Sequence, residues 1–322
     1  MPPSTILVIS KPGAGFLRLL DRLPPEAECV VGIRPEDFAG RATEAGVLLN
    51  CMEPLEIFRE VFLMAPNLKW VHSMSAGVEN SLFPELIESP VPLTNGRGVF
   101  SRSLGEFAIL GALFFAKKVG DMRAQQVAHR WGDMEVEELH GKTMGIVSYG
   151  SIGQATAALA NAFGMTVWAH RRRPELCAGD PLVARAFGPD GLRDLLAGSD
   201  YVVVCSPLTP ETRGFLGKAE IAAMKPSAVF INVGRGAVVD EAALAEALAE
   251  KRIRGAALDV FATEPLPAES PLWDLDNVLV SPHSADHTPG WIDAAMLKFV
   301  ENFERYAAGE PLLNLVDKRA GY

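Results

Sequence analysis

Two groups of residues in this 322-residue chain have types and spacing suited to chemistry. The first is Ser148-Tyr149-Gly150-Ser151-Ile152-Gly153, which follows an apolar stretch and leads into an Ala-rich segment. Strand, glycine turn and helix in that order aim backbone N–H groups and the positive end of a helix dipole at a point where a pyrophosphate can sit. Gly150 allows the backbone to approach the phosphates, and Gly153 allows close helix–strand packing. Ser148 occupies the first position of the GxGxxG pattern, so the fingerprint is incomplete, and a plain structural turn would also account for it. About twenty residues beyond the glycines, an NAD-binding unit carries an acidic residue at the end of its second strand. Here "VWAH" runs instead into Arg171, Arg172 and Arg173. A carboxylate would repel a 2′-phosphate, whereas a guanidinium grips it through paired, charge-assisted hydrogen bonds. The expectation is NADP(H) in preference to NAD(H), with Arg171 as the main contact and Arg172 and His170 assisting; a solvated basic patch is the alternative.

The second group lies at later strand ends. "INVGRGAVVD" places Arg235 between two glycines, "ALDVFATEPLP" carries Asp259 and Glu264, and "VLVSPHSADHT" carries His283. Ligands of open α/β sheets bind outside the carboxyl ends of the strands, so all three segments face one crevice. Taken singly, each residue has an ordinary reading: a surface arginine, a turn-boundary glutamate, a structural histidine. Their joint appearance at three successive strand ends favours a site. His287, four residues after His283, is the rival acid.

These residues need elements to position them. Short apolar runs alternate with helix-length segments, which predicts parallel βα units. The runs in the first half are TILVIS, CVVGI, GVLLN and LKWVHS, with helices expected around 13–23, near 36–45 and over PLEIFREVFLMAP. The second half repeats the scheme with TMGIVSYG, MTVWAH, YVVVCSP, AVFINVG, GAALDVF and NVLVSPH. Between the halves, residues 91–133 read as a loop and then a long helical stretch. In the tail, Trp291, Ala295, Phe299, Phe303 and Tyr306 recur at helical spacing before a turn at Gly309–Pro311.

Composition narrows the class. Nearly half the residues are apolar and the net charge is −10, which disfavours general nucleic-acid or membrane-surface binding. The longest apolar run, 107–116, is about half the length a membrane-spanning helix requires. Strand-like residues start so near the N-terminus that no secretory signal fits before them. Cys29, Cys51, Cys177 and Cys205 are scattered, so no disulfide framework or metal site is expected, and a reduced cytoplasmic setting is the default.

The motifs SYGSIG, PLTPETRGFLG, INVGRGAVVDEAAL, ALDVFATEPLP and SPH, in this order, resemble the NAD(P)-dependent D-2-hydroxyacid dehydrogenase family, particularly its glyoxylate/hydroxypyruvate reductase-like members. The resemblance implies two doubly wound, Rossmann-like parallel-sheet domains, with a dinucleotide-binding domain (99–285) inserted into a substrate domain (1–98 and 286–322). It further implies that Arg235 holds the carboxylate and carbonyl oxygen of a small 2-keto acid, that His283 protonates that oxygen, and that Glu264 pairs with His283. Ala76, Gly77 and Val78 correspond to a loop that holds the substrate carboxylate through backbone N–H groups. Ser206, Pro207 and Val233 join the glycine turn in binding cofactor, with Ser206 replacing a usual apolar residue, and Asp259 corresponds to a residue that binds the nicotinamide amide. Glu106 matches a helix start and is read as structural or interdomain. Relatives commonly pair as homodimers through the inserted domain, and segment 104–131 suits that role. Asp286, where many relatives have glycine, and Trp291 would narrow the pocket toward small monoanionic acids such as glyoxylate or hydroxypyruvate, because a further carboxylate repels dianions. Two readings from other classes remain open: a non-enzymatic dinucleotide-sensing corepressor, and an adenosylmethionine-dependent transferase, for which the arginines would have no use.

Overall fold

The computed structural model describes residues 4–322, and the chain divides into two compact units, Met1–Phe100 with Thr288–Tyr322, and Ser101–His287. Residues 1–3, which open the expected first segment, lie outside the described residues.

The first unit is built on strands β1 (Ser4–Ile9), β2 (Ala27–Gly32), β3 (Ala45–Asn50), β4 (Trp70–Ser73) and β5 (Leu93–Asn95). All pair in parallel, in the order β2-β1-β3-β4-β5. Ile6–Ile9 and Val47–Leu49 are fully buried, as expected of strands covered on both faces. Helices α1 (Leu55–Met64) and α2 (Pro84–Glu88) pack beside them, with Phe58 and Phe83 meeting edge to face. The helix expected around 13–23 is a 3-10 helix, Gly15–Arg22. The one expected near 36–45 is two short 3-10 turns, Pro35–Phe38 and Ala42–Glu44, which bury only Phe38 and Ala42. With Gly40 between them, too few inward apolar positions exist to sustain an α-helical face. Strand β5 falls where a loop was expected. Its buried Thr94 accepts a hydrogen bond from Trp70 Nε1 at 2.8 Å and lies 2.7 Å from His72 Nδ1, a contact across the sheet that local sequence does not display.

The second unit begins with α3 (Ser101–Ala116) and α4 (Val119–Val127). The long helical stretch expected here breaks at Lys118, whose φ of 53° is left-handed. A seven-stranded parallel sheet follows: β6 (Thr143–Val147), β7 (Thr166–His170), β8 (Arg185–Phe187), β9 (Tyr201–Val204), β10 (Val229–Asn232), β11 (Gly255–Leu258) and β12 (Val278–Val280). Helices α5 (Ser151–Ala162), α6 (Leu192–Gly198), α7 (Lys218–Ala222) and α8 (Glu241–Ala249) connect them. The order β12-β11-β10-β9-β6-β7-β8 makes this the doubly wound arrangement, with the chain leaving β6 in one direction and returning at β9 to build in the other. The short edge strand β8 was not anticipated, because three residues are too few to show a period.

The last helix, α9 (Trp291–Ala308), returns to the first unit. Its stripe of Ala295, Phe299 and Phe303 is buried, and Phe299 stacks on Trp70 at 5.2 Å. The helix ends at Gly309 (φ 70°), a left-handed cap that glycine adopts freely. No described helix is long and apolar enough to cross a membrane.

Candidate active site

The glycine turn sits between β6 and α5, with Gly150 as the residue preceding the helix. A side chain at Gly150 would meet nothing within 4 Å, so its backbone borders open space. A Cβ at Gly153 would come within 3.0 Å of Ile146 and 3.1 Å of Tyr149, so a larger residue would press α5 and β6 apart by a few tenths of an ångström. Ser148 adopts φ 67°, and its hydroxyl lies 2.6 Å from that of Ser206. The Tyr149 hydroxyl donates to Asp180 Oδ2 at 2.9 Å, tying the turn to the loop beyond β7. Ser151 and Ile152, in the first turn of α5, are half-buried.

That loop carries the arginines. Arg171 is half-buried, with its backbone N–H donating to Phe187 O at 3.1 Å, while Arg172 and Arg173 are exposed. Glu211 is held below the usual carboxylate range chiefly by the Thr209 hydroxyl, with the positive charge of Arg172 adding to it; this guanidinium therefore acts on the loop after β9. His170 differs from its neighbours. It is buried, neither ring nitrogen has a hydrogen-bond partner among the described residues, and burial pushes its pKa down to about 4. At neutral pH it adds no positive charge to the three arginines.

At the β10 end, Arg235 is held by close backbone approach. A Cβ at Gly236 would stand 1.8 Å from the Phe261 carbonyl carbon, and one at Gly234 would stand 2.7 Å from Ser206 O. Glycines on both sides therefore let the Arg235 loop lie between the loops after β9 and β11. Asn232, unnoticed in the sequence, accepts from Gly234 N–H at 3.0 Å and donates to Arg235 O at 3.2 Å. A buried amide closing a strand was the available signal. Arg235 is half-buried, and its Nη1 donates to Gly234 O at 2.8 Å.

His283 follows β12 in a left-handed conformation (φ 49°), and its Nδ1 lies 2.6 Å from Glu264 Oε2. The other carboxylate oxygen of Glu264 accepts from Phe261 N–H at 2.9 Å, which fixes its direction. An ionised carboxylate only accepts, so Nδ1 carries the proton and Nε2 is the end of the ring left for proton exchange. His287 is exposed, with Nε2 3.7 Å from Asp286 Oδ1. Asp259 is 1 % exposed, and its Oδ1 accepts from Ser281 Oγ (2.6 Å), Ser284 N–H (3.0 Å) and Ala285 N–H (3.1 Å). These bonds clamp the loop on either side of His283. Ser103, from α3, adds a hydroxyl bond to Ala285 O. Neither Ser103 nor Ser281 was picked out from the sequence, because their partners lie far along the chain.

Of the remaining candidates, Ser206 and Val233 are buried at the ends of β9 and β10, and Pro207 is half-buried. In the first unit, Ala76 and Gly77 are half-buried and Val78 is in the core, with Ala76 O accepting from Asn95 Nδ2 at 2.6 Å. Glu106 pairs with Arg102 one helical turn away at 3.1 Å. Trp291 packs edge to face on Phe100. No group of three or more His, Cys, Asp or Glu able to hold a metal occurs among the described residues, and all four cysteines are free thiols. An open glycine turn at the point where the sheet reverses, with an arginine loop beyond the neighbouring strand, fits a nicotinamide dinucleotide.

Together the doubly wound sheet and the residues at its strand ends define a dinucleotide-binding oxidoreductase scaffold. Residues 109–285 match the family described as D-isomer specific 2-hydroxyacid dehydrogenase, NAD binding domain. The chain is 38 % identical over 261 residues to glyoxylate/hydroxypyruvate reductase B of Pectobacterium carotovorum, covering 79 % of this chain and 80 % of that one. It is 32 % identical over 301 residues to D-3-phosphoglycerate dehydrogenase of Methanocaldococcus jannaschii, covering 91 % of this chain but 55 % of that longer protein. A D-isomer specific 2-hydroxyacid dehydrogenase from Xanthobacter autotrophicus Py2, solved with NADPH and MES, superposes with a TM-score of 0.86 at 34 % identity, over 99 % of this chain and all of that one. This chain belongs to the D-isomer specific 2-hydroxyacid dehydrogenase family.

Proposed function

We propose that the protein reduces a small monoanionic 2-keto acid, of the glyoxylate or hydroxypyruvate type, to the D-2-hydroxy acid, using NADPH in preference to NADH. The observation that carries this reading is the 2.6 Å contact between His283 Nδ1 and Glu264, which orients the ring and leaves Nε2 for the substrate. When bound, NADPH supplies the hydride. Arg235 binds the substrate carboxylate and carbonyl oxygen as a charged fork; in the first unit, the backbone N–H groups of Ala76, Gly77 and Val78 are proposed carboxylate donors. His283 gives its Nε2 proton to the oxygen as negative charge develops there, and the Glu264 carboxylate stabilises the imidazolium before transfer. Gly150, Ser151, Ile152 and Gly153 would hold the pyrophosphate, Arg171 and Arg172 the 2′-phosphate, and Ser206, Pro207 and Val233 the rest of the dinucleotide. Asp259 Oδ2, which takes only a 3.3 Å bond from Ala285 N–H, would accept from the nicotinamide amide.

Relatives named glyoxylate/hydroxypyruvate reductase support the substrate class, and a relative solved with NADPH supports the cofactor. Steady-state assays of glyoxylate, hydroxypyruvate, oxaloacetate and 3-phosphohydroxypyruvate with both reduced cofactors test it. Either 2-keto monoanion with NADPH should give the highest kcat/KM; a higher value for oxaloacetate or 3-phosphohydroxypyruvate, or equal efficiency with NADH, overturns the corresponding part. No measurable turnover alongside tight NADPH binding would favour the corepressor alternative.

We also infer a cytoplasmic homodimer. α4 buries none of its own residues, and Val127 (73 % exposed) and Trp131 (99 % exposed) extend an apolar arm suited to a second copy of this chain. Sedimentation of the wild type and of Trp131→Glu should show a dimer lost in the variant.

A further inference from the structure

Ser148 and Ser206, 58 residues apart, form one hydrogen-bonded pair. Ser148 stands where the GxGxxG pattern has its first glycine, and Ser206 follows β9. Their hydroxyls meet at 2.6 Å across the carboxyl ends of β6 and β9, the adjacent strands at which the sheet reverses direction. Ser148 pays for the exchange with a φ of 67°, a conformation that disfavours side chains other than hydrogen.

The protons in this pair can be assigned from burial. A serine hydroxyl has one proton to donate and two acceptor sites. Ser206 is 1 % exposed and has no second hydroxyl partner among the described residues. If Ser148 donated to Ser206, the Ser206 proton would be buried without an acceptor, which is costly. Ser206 therefore donates to Ser148, and the proton of the half-buried Ser148 turns to the open side of the phosphate turn. The Ser206 backbone also abuts Gly234, the residue before Arg235, so the pair links the turn to the arginine loop.

We propose that Ser148 and Ser206 act as a cofactor-contact pair, with Ser206 donating to Ser148 and Ser148 donating to an oxygen of the ribose–pyrophosphate backbone of the bound dinucleotide. This rests on the dinucleotide reading of the site.

The test is NADPH affinity by calorimetry without substrate, together with thermal unfolding of the cofactor-free protein, for wild type, Ser148→Gly, Ser206→Ala and the double variant. Ser148→Gly relieves the strained φ but leaves the buried Ser206 hydroxyl without its acceptor, so it should unfold within a few degrees of the wild type and stay folded for the binding measurement. Its NADPH Kd should nevertheless rise about tenfold, the value of roughly one hydrogen bond. Ser206→Ala should weaken binding to a similar extent and also lower the unfolding temperature. The double variant should bind no more weakly than Ser148→Gly, since the two residues make one interaction. Wild-type NADPH affinity in Ser148→Gly overturns the proposal, as does a double variant weakened by the product of the single effects. A wild type that binds neither NADPH nor NADH overturns the dinucleotide reading itself.

Discussion

His72 and His170 sit on β4 and β7 inside the two sheets, whereas His283 stands in the loop beyond β12. The strand histidines are buried, and burial pushes their pKa values down to about 3 and about 4, with the charge of Lys298 adding to the effect at His72. His283 is 40 % exposed at its side chain and has a carboxylate at 2.6 Å. The same side chain is thus kept neutral inside a sheet and, in a loop, set against a carboxylate. Its chemistry is set by what surrounds the ring and by whether a carboxylate can reach it.

The largest expected effect follows from the proposal that His283 is the proton donor. His283→Asn should lower kcat for 2-keto acid reduction by about 10²–10⁴-fold, the usual contribution of a general acid, with NADPH affinity unchanged. His287→Asn serves as the control. An equal loss of turnover in His287→Asn would move the acid to the rival position and undo the contrast.

Acid stability probes the other side. The native pKa values of His72 and His170 lie below the ordinary unfolded value of about 6.5, so the unfolded chain takes up protons first as pH falls. Their contribution to stability is fully present above pH ~6.5 and is lost progressively toward their native values, by up to about 1.4 kcal/mol per pH unit for each. Between about pH 6.5 and pH 5 the ordinary carboxylates have barely begun to titrate, so the slope in this window reports the histidines. His72→Gln, which can still bond the Thr94 hydroxyl but cannot titrate, should remove about half of it in urea unfolding. An unfolding free energy flat across the window would show that these rings are protonated in place.

How far these surroundings could be read in advance depends on how local they are. The buried runs that became β1, β3, β6, β9 and β10 announce themselves because a strand covered on both faces needs an unbroken apolar sequence. Strands β5 and β8 do not, since three residues carry no period. Arg235 and Glu264 were visible because each lies next to glycine or proline at a strand end. The clamp that Asp259 applies to the His283 loop was not, because its donors are 22 to 26 residues further along the chain. For the same reason His170 read as an assisting contact beside three arginines, although its ring nitrogens are buried.

Removing the carboxylate from the loop histidine should have a smaller effect than removing the ring. Glu264→Gln keeps a hydrogen-bonding side chain but loses the charge that stabilises the imidazolium, so kcat should drop about tenfold. A Glu264→Gln variant with wild-type kcat would mean that Glu264 only positions the ring.

The smallest effect is expected where a buried histidine adjoins the cofactor loop. A neutral His170 offers the 2′-phosphate no charge, so its contribution cannot exceed that of a hydrogen bond, whereas Arg171 offers a charge-assisted pair. Arg171→Ala should weaken NADPH binding about tenfold or more while leaving NADH nearly unchanged, which reduces the preference between the two. His170→Asn should change NADPH affinity by less than about threefold, less than a neutral hydrogen bond is worth. It should also lose part of the acid sensitivity described above, since the same ring accounts for both. If His170→Asn instead weakens NADPH as strongly as Arg171→Ala, and does so more at pH 6 than at pH 8, the ring is a cation in the complex. Burial would then have been overcome by the phosphate, and His170 would belong with His283 and not with His72.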